Sequence, residues 1–366
     1  MEGLGLSTLF GGAYSGRRVL VTGHTGFKGS WLAMWLQALG AELAGLALPP
    51  DTEPSHWRLL DMKLKREYLV DVRDRGGVLD ALHDFQPEFV FHLAAQPLVR
   101  RSYREPVETF ATNVLGLVHL LEAARHCDSV RVLVNATTDK VYEPFDVPGG
   151  YCEDDILGGH DPYSTSKACA ELVSACYRRS YFDGADSHAV RLATARAGNV
   201  IGGGDWAEDR LVPDVVRAMA GAGTVRLRNP MSTRPWQHVL EPLSGYLCLA
   251  QAMIEGREAG GAWNFGPSRG STMAVGDVVR HFQHEWPGLQ VEHDAGPHPH
   301  EAEKLTLDCG KAARELGWHS VWDAEPTVAH TARWYRDFLD AGHIHSRQDL
   351  DAYVASARRQ RQAWAS

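Results

Sequence analysis

The stretch that decides the fold is VLVTGHTGFKGSWLAMWL, residues 19–36. An apolar run leads into Gly23, Gly26 and Gly29, and an apolar helical pattern follows directly. In a dinucleotide-binding turn, such glycines make the tight turn, let a pyrophosphate approach the backbone and pack the helix against the strand. The N–H groups and positive end of the helix then hold the phosphates. The stretch predicts a dinucleotide site, and the alternative is a glycine-rich connector without a ligand.

The first half of the chain alternates strands and helices. Helical patterns such as 30–40 and 113–126 separate runs that are apolar almost throughout, as is typical of parallel strands covered on both faces. We predict strands at residues 17–23, 42–48, 67–72, 88–95 and 130–137. Strands that alternate with helices form right-handed βαβ units. The predicted fold class is therefore α/β, with a Rossmann-like doubly wound parallel sheet.

The predicted organisation changes after residue 197, where a loop rich in glycine and charge precedes shorter elements. We expect a smaller carboxy-terminal lobe that caps the carboxyl edge of the sheet, because ligands bind at that edge. The predicted parts are a flexible extension over 1–16, a dinucleotide-binding domain that also holds the candidate catalytic residues described below over 17–197, a mainly substrate-binding lobe interleaved with it over 198–345, and a carboxy-terminal tail over 346–366.

Composition argues against several classes of protein. The 366 residues are 44% hydrophobic and 23% charged, an ordinary globular composition, and the net charge of -9 argues against a nucleic-acid partner. The sequence has no signal peptide and no apolar run long enough to cross a bilayer, so we expect a cytoplasmic protein without a membrane partner. The six cysteines lack metal-ligand spacing, which predicts buried thiols and no metal site.

Polar residues follow the fifth predicted strand. In VNATTDKVY, residues 134–142, the chain leaves an apolar run into Thr138, Asp139 and Lys140. A solvated turn or a surface ion pair is the ordinary interpretation. Because this strand would end at the ligand-binding edge of the sheet, the three side chains are also candidates for catalysis.

A second candidate for catalysis is DPYSTSKACAEL, residues 161–172. Asp161 suits a helix N-cap and Pro162 suits the first helical position, so Tyr163 and Lys167 lie four residues apart on one face of the helix. A free phenol has a pKa of about 10. A neighbouring ammonium and an oxidised nicotinamide would both lower it, which would make the tyrosine a base. The alternative is an ordinary helix with one exposed Lys and one half-buried Tyr.

In their order along the chain, the glycine turn, the Thr after the fifth strand and the YxxxK pattern resemble the extended short-chain dehydrogenase/reductase family. The resemblance covers about residues 17–340. It implies that NAD contacts the glycine turn, the segment HLAAQ at residues 92–96 and the YxxxK helix, and that Asn113 braces the active site. The NAD contacts implied in this way are Gly23, Thr25, Gly26, Phe27, Lys28, Gly29, Asp71, Leu93, Ala94, Ala95, Gln96, Asn113, Tyr163 and Lys167.

The second strand leaves the choice between NAD and NADP open. An acidic residue at its end would bind the ribose 2′-hydroxyl of NAD, but Asp51 comes a few residues late. Lys28 would instead suit the 2′-phosphate of NADP. Asp71, after the third strand, is either a partner of the adenine amino group or an ordinary turn-forming residue. We expect NAD.

The Thr-Asp-Lys sequence at residues 138–140 is similar to that of the nucleotide-sugar 4,6-dehydratases within this family. Members that act on deoxythymidine- and guanosine-diphosphate sugars have Glu where this chain has Lys140. The lysine is typical of the branch that acts on cytidine-diphosphate sugars. The catalytic residues implied by the resemblance are Thr138, Asp139, Lys140, Tyr163 and Lys167.

The resemblance also assigns each catalytic group a step. Tyr163, helped by Thr138, would take the O4 proton while hydride passes from C4 to NAD. Lys140 in its neutral form would take the C5 proton, Asp139 in its acid form would donate to the departing O6, and hydride would return to C6. Successive residues on an extended strand face opposite ways, so the chain must turn after Asp139 for both side chains to reach one sugar.

The substrate contacts are predicted mainly in the carboxy-terminal half. They are Asn199, Arg210, Leu211, Arg234, His300 and Glu301. Arginine forks suit pyrophosphate oxygens, although an arginine is also an ordinary surface residue. The expected partner is a small nucleotide sugar. The family resemblance further implies pairing through helices near 113–126 and 162–180, and hence a homodimer or a dimer of dimers.

Other functions stay open at this point. A nucleotide-sugar 4-epimerase, or a 4,6-dehydratase for another nucleoside-diphosphate hexose, would use the same oxidation at C4. A non-catalytic NAD-sensing protein would usually lack one of Thr138, Tyr163 and Lys167, and all three are present.

Overall fold

The computed structural model describes residues 5–145, 147, 149–183, 190–221, 223–227, 229–258, 260–268, 271–286, 288–293 and 306–366. The strands are β1 (Arg18–Thr22), β2 (Glu42–Leu46), β3 (Arg66–Tyr68), β4 (Phe89–His92), β5 (Val132–Ala136), β6 (Arg191–Ala197), β7 (Val200–Ile201), β8 (Thr224–Leu227), β9 (Thr233–Pro235), β10 (Gln237–His238), β11 (Gly261–Phe265), β12 (Thr272–Ala274) and β13 (Gln290–His293). The α-helices are α1 (Phe27–Ala38), α2 (His56–Leu60), α3 (Arg75–Phe85), α4 (Val99–Arg104), α5 (Pro106–Phe110), α6 (Gly116–Arg125), α7 (Pro162–Tyr177), α8 (Leu211–Ala220), α9 (Leu240–Ile254), α10 (Val275–Glu285), α11 (Ala324–Ala341) and α12 (Ser346–Arg359).

Seven of the strands form one parallel sheet in the order β11-β6-β5-β4-β1-β2-β3. Because β1 lies between β2 and β4, the strand order reverses at β1. In such sheets, ligands bind in the crevice beyond the carboxyl ends of the strands at this reversal. The predicted fold class is confirmed, and β1 to β5 correspond to the five predicted strands.

Apolar residues cover both faces of the sheet. Val19 and Val21 of β1 pack on one face with α1 and α9, whereas Leu20 packs on the other face with α3, α6 and α7. Because both faces are buried, the strands need apolar residues at successive positions and not at every second one. This burial explains the nearly continuous apolar runs of the sequence.

The expectation of a flexible extension over residues 1–16 is wrong for the described residues 5–16. Phe10 stacks on Trp364 with ring centroids 5.0 Å apart, and the Tyr14 hydroxyl donates to the Leu247 carbonyl at 2.6 Å. Fully burying one large apolar side chain contributes roughly 1.5–3 kcal/mol, enough to hold a short segment against the core. The glycines between these side chains made the segment resemble a loose one.

The segment 346–366, expected as a tail, also packs against the main core. Leu350, Tyr353 and Val354 of α12 are buried with the residues of α1 and α9. Their spacing of three and four residues gives α12 one apolar face. Both ends of the described chain therefore cover the same face of the sheet.

The smaller lobe is built around α8, α10 and α11. Its two-stranded sheets pair β7 with β10, β8 with β13 and β9 with β12. Val215, Phe282 and Trp334 belong to its separate apolar core. Although β11 and α9 come from the same stretch of sequence, they join the main sheet and its core. The two parts are thus interleaved along the chain.

The six cysteines are all free. Cys127 and Cys248 are buried, but Cys152 and Cys176 are exposed, so the expectation of buried thiols is wrong for the latter two. Within the described ranges, no helix combines the length and the apolar character needed to span a membrane. In the same part of the chain, no three His, Cys, Asp or Glu side chains are grouped so as to hold a metal ion.

Candidate active site

The glycine turn after β1 is built from close backbone contacts. Gly23 has a φ of +74°, in the left-handed region that favours glycine. A Cβ atom at Gly23 would lie 2.6 Å from the Ala94 nitrogen, and one at Gly29 would lie 2.0 Å from the Gly23 carbonyl oxygen. Any side chain at either position would displace the backbone. The predicted tight turn and close helix packing both occur.

The first turn of α1 presents its N–H groups without a side-chain cap. Its N-cap is Gly26, which has no side-chain oxygen to accept from them. A pyrophosphate would supply these acceptors, and the positive end of the helix would stabilise its charge. The cradle therefore fits a dinucleotide. Beside it, Phe27 begins α1, and the Thr25 hydroxyl donates to the Leu48 carbonyl at 2.8 Å.

Thr22 and His92 hold the ends of β1 and β4 together, a pair that the sequence analysis missed. Thr22 Oγ1 lies 2.7 Å from His92 Nδ1 and accepts from the N–H groups of Leu93 and Ala94, each at 3.2 Å. Burial lowers the pKa of His92 to about 3, so the imidazole is neutral. A polar residue at the end of each apolar strand was the available signal. This pairing places the segment 93–96 beside the glycine turn.

Asn113 braces this segment from the neighbouring helical stretch. Its Oδ1 accepts from the Gln96 N–H at 2.9 Å, and its Nδ2 donates to the Gln96 carbonyl at 3.1 Å and to Ser166 Oγ at 2.9 Å. The Gln96 side chain is itself bonded to Thr109 and the backbone of Leu98. The polar side-chain atoms of Asn113 and Gln96 are hydrogen-bonded to other protein groups. The two side chains therefore stabilise the segment that forms part of the predicted NAD site.

Lys28 is directed toward the carboxyl end of β5. Its charge interacts with those of Arg210, Asp139 and Lys167. Burial, together with the charge of Arg210, lowers the pKa of Lys28 to about 8. These partners are residues of the predicted catalytic and substrate sites.

Asp71 forms a turn after β3. Its carboxylate accepts from the Arg73 N–H at 2.8 Å and pairs with the Arg73 guanidinium at 2.6 Å. The hydrogen bonds with Arg73 lower the pKa of the Asp71 carboxyl. The turn-forming alternative therefore has direct structural support, while the contact with an adenine amino group stays a prediction.

The chain turns sharply where β5 ends. Thr138 caps a single 3₁₀ turn, Asp139–Val141, and its Oγ1 accepts from the Lys140 N–H at 3.4 Å. The same hydroxyl donates to Asp139 Oδ1 at 3.0 Å. Asp139 is only 3% exposed, whereas Lys140 is half-buried. We call residues 138–141 the acid–base turn. It is the change of chain direction after Asp139 that the sequence analysis requires.

The helix α7 begins as its sequence predicts. Asp161 caps it by accepting from the Ser164 N–H at 3.0 Å, and Pro162 occupies the first position. The N–H of Tyr163 donates to Ser102 Oγ at 3.1 Å, which anchors the first turn to α4. The phenol is thereby held at the carboxyl edge of the sheet, where the neighbouring Thr138 hydroxyl acts to lower its pKa.

Lys167 reaches from α7 to the end of β5. Its Nζ donates to the Ala136 carbonyl at 3.1 Å, and burial lowers its pKa to about 8. Burial raises the pKa of Tyr163 to about 12, opposed by the hydrogen bond with Thr138 and supported by the charge of Asp139. The expected lowering by Lys167 is therefore wrong for the protein groups alone. They keep the phenol protonated near neutral pH.

The predicted substrate residues approach the acid–base turn from the smaller lobe. A Cβ atom at Gly198 would lie 2.9 Å from Asp139 Oδ2, and Asn199 follows directly. Arg210 occupies the N-cap position of α8, pairs with Asp205 at 2.8 Å and interacts with the charges of Lys28 and Tyr163. Arg210 therefore lies within electrostatic range of the predicted catalytic centre.

The other predicted substrate residues lie elsewhere or outside the described chain. Leu211 is the first residue of α8. Arg234 lies on β9, where its guanidinium donates to the Thr233 carbonyl at 3.2 Å. His300 and Glu301 lie outside the described residues. The substrate roles of all six residues stay predictions.

A buried ion pair behind the site was also missed by the sequence analysis. Glu171 of α7 and Arg196 of β6 are 2.9 Å apart and each only 3% exposed. A charged residue inside the apolar run of β6, and another one helical turn after Lys167, were the available signals. Charges this deeply buried need partners, and those partners include residues on both sides of the acid–base turn.

Comparison with known proteins places this geometry in a family. Residues 19–266 match the family described as NAD dependent epimerase/dehydratase. The chain belongs to that family. The open choice between NAD and NADP is thereby decided for NAD, and the resemblance noted in the sequence is confirmed.

Individual members of the family show how similar this chain is to proteins of known activity. A CDP-glucose 4,6-dehydratase of Salmonella typhimurium is 45% identical over 354 residues, which cover 94% of this chain and 98% of that protein. A dTDP-glucose 4,6-dehydratase of Streptomyces griseus is 28% identical and covers 87% of this chain and 93% of its own length. A solved structure of a dTDP-glucose 4,6-dehydratase from Streptomyces venezuelae, with NAD and TYD bound, superposes with a TM-score of 0.73 at 26% identity, covering 87% of this chain and 97% of that one.

Proposed function

We propose that the protein is a CDP-glucose 4,6-dehydratase, which converts CDP-glucose into CDP-4-keto-6-deoxyglucose and water with NAD as its cofactor. The observation that carries the proposal is the Thr-Asp-Lys turn at residues 138–140 beside the Tyr163 helix. The relative that is 45% identical over nearly the whole chain is itself a CDP-glucose 4,6-dehydratase.

In this reaction Tyr163 would remove the proton from the sugar O4. Thr138, which donates to Asp139 and lies near the phenol, would orient the two groups toward one sugar. When bound, NAD supplies a hydride acceptor for C4 and later a hydride donor for C6. The protein groups alone keep the phenol protonated, and the positive charge of a bound oxidised nicotinamide would favour the phenolate that takes the O4 proton.

Asp139 and Lys140 would then carry out the elimination. A ketone at C4 would acidify the C5 hydrogen, which Lys140 in its neutral form would remove and would return to C5 when hydride reaches C6. Asp139 in its acid form protonates O6, so that water leaves. Asp139 lies in a nearly closed site against Gly198, where little solvent competes for its proton.

The nucleotide part of the substrate would bind in the smaller lobe. Arg210 is the main candidate for the pyrophosphate, because its guanidinium lies beside the catalytic centre on the side of that lobe. Asn199 and Leu211 are retained as proposed substrate contacts, and Arg234 is a further candidate cation. We retain His300 and Glu301 as proposed contacts with the ribose or the cytosine.

One assay tests both the type of reaction and the nucleotide of the substrate. The purified protein is incubated in turn with the CDP, dTDP, GDP and UDP forms of glucose, and the products are weighed by mass spectrometry. We expect loss of one water, fastest by far from CDP-glucose. An unchanged mass would indicate an epimerase, and a faster loss of water from another nucleotide would move the proposal to that hexose.

We also propose that the protein acts as a homodimer through α5 and α7. Val107 of α5 is 81% exposed, Leu115 of the π turn that follows it is 54% exposed, and Leu172 of α7 is 60% exposed. A second copy of the same helices would cover these apolar side chains. Light scattering should give a dimer mass that the double change Val107→Asp and Leu172→Asp reduces to one chain. A wild-type monomer would contradict the proposal.

A further inference from the structure

The ion pair between Glu171 and Arg196 has no part in the mechanism so far. Each of its charged groups has several hydrogen-bond partners, although Arg196 Nε is buried without one. Glu171 Oε2 accepts from Thr194 Oγ1 at 2.6 Å and from the guanidinium, and Oε1 accepts from Thr137 Oγ1 at 2.5 Å. The guanidinium also donates to the Tyr142 hydroxyl at 2.7 Å. A buried pair of this kind stays stable only when its hydrogen-bonding capacity is largely filled.

Two of these partners stand directly on either side of the acid–base turn. Thr137 precedes Thr138, and Tyr142 follows Val141. The Tyr142 hydroxyl accepts from Arg196 and donates to Asn264 Oδ1 at 2.8 Å. The turn is therefore fastened at both ends to one ion pair, which spans α7 and β6.

Two of the oxidation groups have anchors outside the turn, whereas the third, Thr138, belongs to it. Tyr163 is held by the bond from its N–H to Ser102, and Lys167 by its bond to the Ala136 carbonyl. Asp139 and Lys140 are placed by the turn that carries them. Loosening the ends of the turn would consequently disturb the elimination more than the oxidation.

We propose that Glu171 and Arg196 are positioning residues for the elimination step, because they fix the turn that presents the acid Asp139 and the base Lys140 to one sugar. The inference rests on the proposed function. Elimination needs two groups to reach C5 and O6 together, and a displacement of a reacting group by about 1 Å can cost roughly a hundredfold in rate.

Two threonines allow a matched test. Thr137 and Thr194 both donate to Glu171 over nearly the same distance, but only Thr137 adjoins the turn. We expect Thr137→Val to lower kcat about tenfold through misplacement of the turn. Thr194→Val removes the same kind of hydrogen bond and should change kcat less than about twofold. Tyr142→Phe, which loosens the other end, should resemble Thr137→Val.

The absorbance of reduced nicotinamide separates positioning from simple destabilisation. With CDP-glucose, Thr137→Val and Tyr142→Phe should accumulate reduced cofactor, because C4 oxidation continues while loss of water slows. Neither the wild type nor Thr194→Val should do so. If Thr137→Val does not fold, Tyr142→Phe carries the same test by itself.

Two sets of results would contradict the inference. Equal losses of kcat in the two threonine variants, or a loss without accumulated reduced nicotinamide, would make the ion pair purely structural and overturn the inference. A wild-type protein that releases no water from any nucleotide sugar would defeat the proposed function, and the inference would fall with it. The wild-type assay therefore distinguishes the two failures.

Discussion

The two turns at the carboxyl edge of the sheet are held in place by different kinds of contact. In the glycine turn after β1, backbone atoms of Gly23, Gly29 and Ala94 lie close together, and the N–H groups at the start of α1 have no side-chain cap. The acid–base turn after β5 consists of side chains that are held by a buried ion pair from two other elements. The glycine turn therefore has almost no room for an added side-chain atom. The acid–base turn depends instead on hydrogen bonds to residues that are remote in sequence.

The largest effect is expected from the side chains of the acid–base turn. Asp139→Asn or Lys140→Met should reduce dehydration about 10²–10⁴-fold, the usual contribution of a positioned acid or base. Bound NAD, measured by release and chromatography, should stay close to wild type, because the glycine turn is untouched. A variant of either residue with normal turnover would remove it from the mechanism.

The reverse pattern is expected at the glycine turn. A Cβ atom in Gly29→Ala would lie 2.0 Å from the Gly23 carbonyl oxygen, so the turn must shift. Overpacking of this kind costs about 1–3 kcal/mol, which corresponds to a loss of NAD affinity of about five- to 150-fold. Titration of the NAD-free protein measures it.

Gly76→Ala is the matched control for Gly29→Ala. Gly76 also lies in the first turn of a helix, but a Cβ atom there would meet its nearest neighbour at 3.6 Å, an ordinary contact. NAD affinity should be unchanged. Equal affinities for the two variants would show that close backbone packing does not set the shape of the NAD site.

A smaller effect is expected on the free energy of unfolding. It arises from the buried Lys167 ammonium, which has no counterpart in the glycine turn. The pKa of Lys167 is lowered from 10.5 to about 8 by burial. Between these pH values the unfolded chain binds more protons, so stability rises with pH across this window. Below the folded pKa, both states are protonated and the cost of burying the ammonium is fully present.

Lys167→Met should therefore abolish turnover and yet stabilise the fold. At neutral pH we expect a gain of about 1–2 kcal/mol, since the relief of the buried charge is partly offset by the lost bond to the Ala136 carbonyl. Urea unfolding at pH values on both sides of the window provides the measurement. The variant should show a flatter rise of stability with pH, and parallel curves for the two proteins would contradict the shifted pKa.

Sequence reasoning succeeded where the determinants are local. Asp161 and Pro162 predicted the start of α7, and the four-residue spacing predicted that Tyr163 and Lys167 share one of its faces, because capping and helical period act within one or two turns. It failed at the amino terminus, where Phe10 and Tyr14 pack against residues more than two hundred positions away. No local pattern indicates such a partner.

The sequence by itself determined the parallel sheet, the glycine cradle and the order of the catalytic groups, since apolar period, glycine spacing and helix capping are short-range properties. Only the tertiary structure decided the direction of Lys28, the raised pKa of Tyr163 and the fastening of the acid–base turn to Glu171 and Arg196. The physical reason is burial. The cost of placing a charge or a phenol in the interior depends on every group packed around it, and those groups come from distant parts of the chain.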